Sequence, residues 1–523
     1  MKWQKLLAYA KEQETLLAKM PKIMVQVGHC SRGLGVEVLM EKLSQQVSSY
    51  RIVEVGCDGA CFNAPQIIIS KNGLDKRIGK IDPSKVTVSE LIDSLEEASD
   101  HSGIDAFFRT QHRIVIENCG FVDPGNIYQF IARGGYSSLY NCLQMDPEEV
   151  LTVLETSKLR GRGGAYFPVA LKWKSARFFK REQRYIVANG EEGEPGIYKD
   201  RHLMEGDPHR IIEGMVIAGY VSGAAKGYIY INAEADISKK RIDGAIAQAL
   251  ENGLLGSQIL GTGFSFDLEV RQGAGGYVCG EETTLLNTIE GDRRVPRLRP
   301  PFPTESGLWS RPTVINNIET LAFIPTIIAD GGEKFCQVGT NESPGTKLFS
   351  LSGAIQRTGL VEMPLGTSVG QLIYDIGGGA LPDRSIVAAA VGGPSSGMLP
   401  TKLFDSQLVP PVVHSSGVVL GAGGVVAIDD RIPILEVIRN LAMYNAVESC
   451  GKCTPCREGT PRIVTLIDNL LNKKGKKADL TELKFLADLL PVSLCGLGQM
   501  AGNVVTNSLE LFKSELEAGL KTS

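Results

Sequence analysis

The sequence predicts an α/β protein of several domains that ends in a bundle of helices. Its 523 residues are too many for one hydrophobic core, and roughly three or four domains are expected. Segments typical of strands alternate with amphipathic segments up to residue 345, and short turn-bounded runs follow to residue 430. From there to the end the apolar residues recur at helical spacing.

The N-terminal region, residues 1–100, has the element order of a small thioredoxin-like α/β domain. A helix over residues 1–20 is predicted to precede three strands and two helices. In chain order these are the strand Ile23–Val27, the helix Gly35–Gln46, the strands Tyr50–Val55 and Gln66–Ser70, and the helix Ser89–Ala98. Residues 101–145 are predicted to be a connector.

The largest unit, residues 146–345, predicts a layered α/β domain, because buried-type strands alternate with helices. Helices are predicted at Pro147–Ser157 and Ile237–Asn252, and strands at Tyr185–Ala188 and Gly227–Ile231.

Two further domains are predicted beyond it. Residues 346–430 are rich in glycine and valine with few helix signals, which indicates a small β-rich domain. Residues 431–523 indicate a helical domain, since Ile463, Ile467 and Leu470 share one helix face.

Charge and apolar patterning exclude several classes of function. The net charge of −4 indicates no nucleic-acid partner, and no apolar stretch reaches the length of a membrane span. The N-terminus is charged and lacks the apolar core of an export signal. Eleven cysteines in such a chain favour a reducing compartment, so we expect a cytoplasmic protein with thiols available for metal.

The most informative motif is a group of cysteines near the C-terminus. Cys450, Cys453 and Cys456 have C-x2-C-x2-C spacing, and Cys495 follows about forty residues later. Three thiolates from one loop with a distant fourth are typical of a [4Fe-4S] cluster. A structural zinc is the alternative, although zinc sites usually join two separate pairs or include histidine. Cys495 is the less certain ligand by spacing, because nothing local fixes it.

A glycine-rich loop runs from Arg160 to Pro168. Its glycines let backbone N–H groups approach a phosphate or a flat ring. It follows a helix instead of a strand, and Tyr166 stands where the dinucleotide fingerprint has its third glycine, so it is not an ordinary Rossmann loop.

A second loop, Gly273–Glu282, has P-loop glycine spacing, but Glu281 occupies the place of the phosphate-binding lysine. Because a carboxylate there repels a triphosphate, this argues against nucleoside triphosphate hydrolysis. Between the two loops Glu191, Glu192 and Glu194 follow a predicted strand. They are consistent with a divalent metal, a solvated turn or contacts to an organic ligand.

Two later segments complete the candidate site. Residues 297–303 supply arginines and an aromatic ring between prolines, which suit phosphate binding and stacking. Asn316 and Asn317 add two adjacent amides. Together the four segments suit a flavin with a nicotinamide stacked on it, and FMN is simpler than FAD because no second nucleotide site is evident.

From about Asp146 to the end, these motifs resemble the NADH-binding flavoprotein subunit of respiratory complex I. They equally resemble the diaphorase subunits of NAD-dependent hydrogenases and formate dehydrogenases. The resemblance implies a Rossmann-like FMN domain, a ubiquitin-like β domain over residues 346–430 and a helical [4Fe-4S] domain. Cys450, Cys453, Cys456 and Cys495 would hold the cluster.

The resemblance also implies roles for individual residues. FMN would be contacted by Gly161, Arg162, Gly163, Gly164, Lys172, Asn189, Glu191, Tyr277, Gly280, Glu281, Asn316, Asn317 and Thr320. NAD(H) would be held by Phe167, Glu194, Glu282, Arg299 and Phe302. The chain departs from the family at Tyr166, Gly193 and Ser175, which places cofactor preference and substrate affinity in question more than the fold.

The N-terminal domain resembles the thioredoxin-like [2Fe-2S] subunit that partners this flavoprotein. Cys30, Cys57 and Cys61 are retained, whereas Gly35 stands where the fourth cysteine would be. A cluster here would need an unidentified fourth ligand, and a cluster-free docking domain is the favoured interpretation.

The predicted function is NAD(H)-dependent electron transfer, with hydride passing between NAD(H) and FMN and single electrons between FMN and the cluster. Other redox subunits of a hetero-oligomeric complex are the expected partners. Two rivals stay open: a chain of the same fold that serves as a conduit or scaffold without turnover, and a nucleotide-binding protein with a structural zinc.

Overall fold

The computed structural model describes residues 2–71, 74–93, 102–179 and 183–521 of a mixed α/β protein with several domains. No helix within these residues combines the length and apolar character needed to cross a bilayer.

The chain begins with a helix and a small sheet unit. The elements are α1 (Lys2–Ala18), β1 (Lys22–Gln26), α2 (His29–Gly33), α3 (Val36–Gln46), β2 (Arg51–Val55), β3 (Ile67–Lys71), β4 (Leu74–Ile78) and α4 (Val88–Asp93). The strand order is β2-β1-β3-β4, with β1 and β2 parallel and the other pairs antiparallel. The predicted strands and helices are confirmed, β4 was not predicted, and residues 94–98 of the last predicted helix lie outside the described residues.

The central region contains most of the helices and a second sheet. Its elements are α5 (Ser102–Arg109), α6 (Ile127–Ala132), α7 (Ser137–Cys142), α8 (Pro147–Ser157), α9 (Val169–Phe178), β5 (Tyr185–Gly190), α10 (Lys199–Gly206), α11 (Pro208–Ser222), β6 (Lys226–Ile231), α12 (Asp236–Glu251), β7 (Asp267–Gln272), α13 (Glu282–Glu290), β8 (Thr313–Asn317), α14 (Ile318–Asp330) and α15 (Gly332–Phe335). The sheet order is β7-β6-β5-β8 and all its pairs are parallel. Helix α11 lies against it and is buried along almost its whole length, as expected for a parallel sheet covered by helices.

The packing of the first 145 residues corrects two expectations. These are that residues 101–145 are a connector and that the first helix belongs to the N-terminal domain. Residues 101–145 were expected to be a connector, but they form three helices, and Ile116, Cys119 and Phe130 lie in the largest hydrophobic core. Trp3 and Ala10 of α1 lie in that same core. The first helix therefore packs with the central region and not with the sheet of residues 22–78, because its apolar residues are covered there.

Residues 346–429 form a five-stranded mixed sheet and a short hairpin. The strands are β9 (Thr346–Gly353), β10 (Gly359–Pro364), β11 (Ile386–Val391), β12 (Met398–Pro400), β13 (Val412–His414), β14 (Val418–Val419) and β15 (Gly424–Asp429). The order is β10-β9-β15-β11-β12, with β9 and β15 parallel, and one helical segment, Gln371–Ile376, packs on the sheet.

The C-terminal region is helical, as predicted. It contains α16 (Ile434–Val447), α17 (Thr454–Leu471), α18 (Lys477–Leu489), α19 (Gly496–Met500), α20 (Asn503–Leu511) and α21 (Lys513–Glu517). Its core includes Ala388 and Met398 from the preceding sheet, so the two regions share apolar packing.

Candidate functional site

The parallel sheet has a topological switch between β5 and β8. The chain proceeds from β5 outward to β6 and β7 and then returns to β8 on the other side of β5. In sheets of this kind, ligands bind in the crevice outside the carboxyl ends of the strands at the switch. Asn189 of β5 pairs in register with Asn317 of β8 at that end. The amides predicted from the sequence therefore lie at the expected crevice.

The first glycine loop closes onto this crevice. The N–H of Gly161 donates to the carbonyl of Phe167 (2.9 Å), which folds the loop back on itself. A Cβ atom at Gly163 would lie 2.9 Å from the Cβ of Asn317. Gly164 has a φ of +115°, a conformation that side chains rarely adopt. These glycines are required for the backbone to approach the end of β8.

Arg162 contributes to the site through its backbone. Its buried guanidinium donates to the carbonyls of Arg160, Pro344 and Thr346, at 2.8 to 3.1 Å. Its backbone N–H donates to the hydroxyl of Thr320 (2.8 Å). The side chain is thus occupied in holding the loop against the start of β9.

The second loop is joined to the crevice by Asn189. Its side-chain amide donates to the carbonyl of Gly280 (2.7 Å), and its oxygen accepts the N–H of Glu191 (3.1 Å). One oxygen of Glu191 accepts from Asn232, whereas the buried Oε2 has no partner. Burial raises the pKa of Glu191 to about 7. A buried carboxyl oxygen without a partner at a glycine-lined crevice fits a polar ligand such as a flavin.

A buried charged network supports the asparagines, and it was not predicted. Lys199 donates to Asp200 (2.7 Å) and to the Asn317 oxygen (3.1 Å), and the amide of Asn317 donates to Asp200 (2.6 Å). Glu319 pairs with Lys199 and with Lys347. These residues carry no spacing signal, because a lysine or glutamate in sequence predicts a solvated side chain. Asn316 is fixed separately by the Trp173 indole (2.8 Å).

Glu281 caps a helix. Its Oε2 accepts the backbone N–H groups of Thr283 and Thr284 at the start of α13, and their hydroxyls as well. The carboxylate that stands in the place of a P-loop lysine therefore orders the second loop.

Five residues predicted for the nucleotide or the flavin form one charged and aromatic lip. Glu282 pairs with Arg299 (2.8 Å) and with Lys172 (3.5 Å). Lys172 also donates to the Ile315 carbonyl (3.0 Å) and lies over the half-exposed ring of Phe167. Phe302 is exposed on the loop after Arg299. The lip thus combines two cations, a carboxylate and two accessible aromatic rings. Such a set suits the binding of a phosphate and the stacking of a flat ring.

Glu194 lies apart from this lip, next to Tyr277. Burial raises the pKa of Glu194 to about 8, against the opposing charge of Lys199. The Tyr277 ring in turn packs on Tyr444 of α16, with centroids 5.7 Å apart. Glu192 accepts the N–H groups of Asp200 and Arg201. The three glutamates thus have separate partners, which does not support the divalent-metal alternative.

The departures from the family pattern do not fill the crevice. Tyr166 has a φ of +52°, which explains why glycine is common at this position, and its buried hydroxyl donates to the Gly421 carbonyl (2.8 Å). Ser175 bonds Thr304 (3.1 Å). Gly193 lies beside Glu191, whose oxygen would be 3.3 Å from an added Cβ. Tyr166 therefore extends into the core of the β9–β15 region and gives no support to the rival without turnover.

The four C-terminal thiols converge at helix ends. Cys453 is the N-cap of α17 and Cys495 the N-cap of α19, while Cys456 lies one turn into α17 beside the Ser449 hydroxyl (3.2 Å). Burial raises the pKa of Cys456, with Cys453 and Cys450 nearby. Burial also raises the pKa of Cys495 to about 11, with Cys450 again among its neighbours. All four are free thiols, which fits a set of metal ligands that lose their protons on binding.

The arrangement of the thiols gives no support to the alternative of a mononuclear zinc site. In the part of the chain that the structure describes, no group of three or more Cys, His, Asp or Glu side chains is placed to hold a single metal ion. A polynuclear cluster is larger than one ion and needs thiols that are farther apart.

The second glycine loop joins the crevice to the thiols. The N–H of Tyr277 donates to the Glu448 carboxylate (2.8 Å), and Lys452 donates to the Pro296 carbonyl. Tyr277 and Glu281 are also close enough to Cys495 to affect its electrostatics. The two predicted sites are therefore adjacent.

The three N-terminal cysteines also lie together. The neighbouring thiols of Cys30 and Cys57 both raise the pKa of Cys61, as does its burial. Of the remaining cysteines, Cys119, Cys142 and Cys279 are buried and Cys336 is partly exposed.

Comparison with known families gives two matches that coincide with these sites. Residues 154–326 match the Nuo51 FMN-binding domain, and residues 436–519 match the NADH-ubiquinone oxidoreductase-F iron–sulfur binding region. The first contains the crevice and both glycine loops, and the second contains all four C-terminal thiols.

Relatives that align with 78% of this chain support the same assignment. The NADP-reducing hydrogenase subunit HndC of Solidesulfovibrio fructosivorans is 44% identical over 411 residues, 78% of this chain and 84% of that protein. An NADH-quinone oxidoreductase subunit of Rhizobium meliloti (strain 1021) is 39% identical over 410 residues, 78% of this chain and 97% of that protein. A chain of an NAD+-reducing [NiFe]-hydrogenase, solved in the H2-reduced state, has a TM-score of 0.70 at 28% identity and covers 96% of this chain and 85% of its own. The chain thus belongs to the NADH-quinone oxidoreductase-F family, which includes the hydrogenase subunit HndC.

Proposed function

We propose that the chain is a diaphorase-type oxidoreductase subunit that binds FMN, NAD(H) and a [4Fe-4S] cluster. When bound, FMN exchanges a hydride with NAD(H) and electrons singly with the cluster. The observation that carries the proposal is the contact of the Tyr277 loop with both the crevice and the cysteine domain. One short loop thereby places a two-electron site beside a one-electron site.

The residues of the crevice would hold the flavin mainly through backbone and amide groups. Gly161, Gly163 and Gly164 present unobstructed backbone, and the unpartnered oxygen of Glu191 is available to a polar edge of the ring. The other expected contacts are the backbone of Arg162 and residues Lys172, Asn189, Tyr277, Gly280, Glu281, Asn316, Asn317 and Thr320. Because Asn189, Asn317 and Glu281 are held by hydrogen bonds, the site is largely formed before the ligand binds.

The lip would bind the dinucleotide. Phe167 and Phe302 offer ring faces, and Arg299 with Glu282 offers polar contacts to phosphate or ribose. Glu194 lies next to Tyr277, and with a pKa raised by burial to about 8 it can donate a proton in a hydrogen bond to an amide oxygen at neutral pH.

The finer fold assignment belongs to the same proposal. The sheet unit within the first hundred residues would be a thioredoxin-like domain, 146–345 a Rossmann-like FMN domain, 346–430 a ubiquitin-like β domain and 431–523 a helical cluster domain. The order β10-β9-β15-β11-β12 with a parallel central pair supports the third of these.

The relatives are named as subunits of larger enzymes, so we infer that this chain also works in a hetero-oligomeric redox complex. The partner would supply or remove electrons through the cluster.

Anaerobic titration of the reconstituted full chain with NADH tests the proposal. We expect the visible absorbance of the flavin to bleach and the reduced cluster to give an electron paramagnetic resonance signal. If flavin binds but NADH does not bleach it, the result would support the alternative of a conduit or scaffold without turnover. A chain that retains neither flavin nor iron with acid-labile sulfide would overturn the proposal.

A further inference from the structure

The β9–β15 region, residues 346–429, is bonded to the first glycine loop, although it lies between the two family matches. One match ends at residue 326 and the other begins at residue 436. The guanidinium of Arg162 donates to the Thr346 carbonyl (3.0 Å), and the ammonium of Lys347 donates to the Arg162 carbonyl (3.0 Å). The loop and the start of β9 therefore hold each other by bonds in both directions.

Lys347 is fixed in place by its neighbours. Its side chain is 0% exposed. The ammonium also donates to one carboxylate oxygen of Glu319 (2.9 Å), whose other oxygen accepts the N–H of Leu348 (2.8 Å). The backbone of Gly423 packs against the stem, since an added Cβ there would lie only 2.8 Å from the Lys347 Cε. The ammonium is therefore held between the glycine loop and the start of α14.

The contacts of Glu319 continue to the crevice. Its carboxylate pairs with Lys199 (3.2 Å), and Lys199 donates to the side-chain oxygen of Asn317 (3.1 Å). The Cβ of Asn317 is the atom that an added Cβ at Gly163 would meet at 2.9 Å. A chain of direct contacts thus joins Lys347 to the end of β8, where the glycine loop also lies.

Stability alone does not explain a lysine at this position. A buried ion pair adds little net stability, because the cost of removing both charges from water offsets their attraction. An apolar side chain of similar length would fill the same space. It would lack only the donors, and one of these goes to the Arg162 carbonyl in the middle of the loop. The donor therefore indicates a role in placing the loop.

We propose that Lys347 is a positioning residue of the flavin site and that the β9–β15 region completes this site. Lys347 acts through the Arg162 carbonyl, which lies among the glycines that present their backbone to the ligand. Because the loop is ordered before FMN binds, less conformational entropy is lost on binding. The inference rests on the proposed function, since it requires that FMN binds in the crevice.

Amide hydrogen exchange of the full chain without FMN tests the contact itself. Lys347→Met keeps a stem of similar length and removes the donor. The N–H groups of Gly161 and Arg162 are bonded to the Phe167 carbonyl and the Thr320 hydroxyl, so their exchange reports opening of the loop. We expect both to exchange about tenfold faster or more in Lys347→Met.

Titration with FMN, followed by flavin fluorescence, measures the consequence for the site. We expect the Kd for FMN to rise by about tenfold or more in Lys347→Met. Glu362→Gln is the matched control. Glu362 is a fully buried carboxyl on the neighbouring strand β10 and accepts the N–H groups of Ile114 and Val115. Its replacement should lower stability and leave the Kd within about twofold.

A double variant separates placement from stability. In Lys347→Met one negative charge is in excess among Lys199, Asp200 and Glu319. Adding Glu319→Gln removes this excess, so the midpoint of chemical unfolding should recover in part. The Kd for FMN should stay raised, because the Arg162 carbonyl still lacks its donor. The double variant also allows the measurement if the single variant does not fold.

Two results would overturn the inference: unchanged exchange of the loop in Lys347→Met, or a Kd within about twofold of that of the unmodified chain. Recovery of both stability and Kd in the double variant would show that Lys347 acts on stability alone. Failure of the proposed function gives a different result, since the unmodified chain would then bind no FMN, and the inference would fail with it.

Discussion

The backbone N–H of Tyr277 donates to the carboxylate of Glu448 across 2.8 Å, and this bond joins the flavin crevice to the cysteine domain. Glu448 follows the last turn of α16 and lies two residues before Cys450. The position of the Tyr277 loop is thereby linked to the segment that carries Cys450, the first of the four proposed cluster ligands.

Replacing Glu448 tests this link. Glu448→Ala leaves the N–H of Tyr277 without its partner, which should cost about 1–3 kcal/mol of stability. The flavin content of the purified chain should fall because the loop that includes Gly280 is loosened. Glu448→Gln is the matched control, since its amide oxygen still accepts the bond. Flavin stoichiometry and the midpoint of chemical unfolding measure both effects, and equal behaviour of the two variants would contradict the coupling.

Tyr166 should affect stability and not substrate affinity. Tyr166→Phe removes the donor to the Gly421 carbonyl and should lower stability by about 1–2 kcal/mol. The ring is buried away from the crevice, so KM for NADH should stay within about twofold if binding contacts are intact. Steady-state kinetics with an artificial acceptor checks this, and a large increase in KM would place the ring in the nucleotide site after all.

Glu194 makes stability depend on pH. Burial raises its folded-state pKa from 4.5 to about 8, so between these values the folded chain binds more protons than the unfolded chain. Its contribution is fully present below pH 4.5 and is lost as the pH rises to about 8. In Glu194→Gln the decline of stability over this window should be shallower by up to about 1.4 kcal/mol per pH unit. Denaturation of the ligand-free chain at several pH values measures the slope, and identical slopes would show that Glu194 ionises normally.

The C-terminal cluster should depend on Cys495 and not on Cys336. Cys495→Ser removes one of the four converging thiols, so iron and acid-labile sulfide should fall well below the four of each that a complete cluster contains. Bleaching of the flavin by NADH should persist, because the crevice is formed by other residues. Cys336→Ser is the control, since the Cys336 thiol only donates to backbone carbonyls on α8. Retention of a full cluster in Cys495→Ser would refute the ligand assignment.

The elements with strong local patterns were predictable from the sequence. Helix Pro147–Ser157 begins with a proline and an Asp146 cap that bonds Glu148, and its predicted bounds match the observed ones. The C-x2-C-x2-C motif and the glycine loops also located the site, because their spacing is a property of sequence.

The features that were missed depend on packing between distant segments. The helical, buried character of residues 101–145 follows from the core they meet, not from their own periodicity. The network of Lys199, Asp200 and Glu319 is likewise invisible in sequence, since each charge is tolerated only because the others lie opposite it. The hydrogen bonds of the Arg162 guanidinium could not be predicted for the same reason, because Pro344 and Thr346, which accept them, are distant in sequence.

The packing of α1 also limits how the N-terminal unit can move. A domain that is attached by a single flexible linker can move and carry its redox group between two partner sites. Here the preceding helix is anchored through Trp3, and Phe107 of the following helix is anchored in the core of the β9–β15 region. The unit between them is an insertion with both ends anchored, so it cannot swing as a singly tethered domain would.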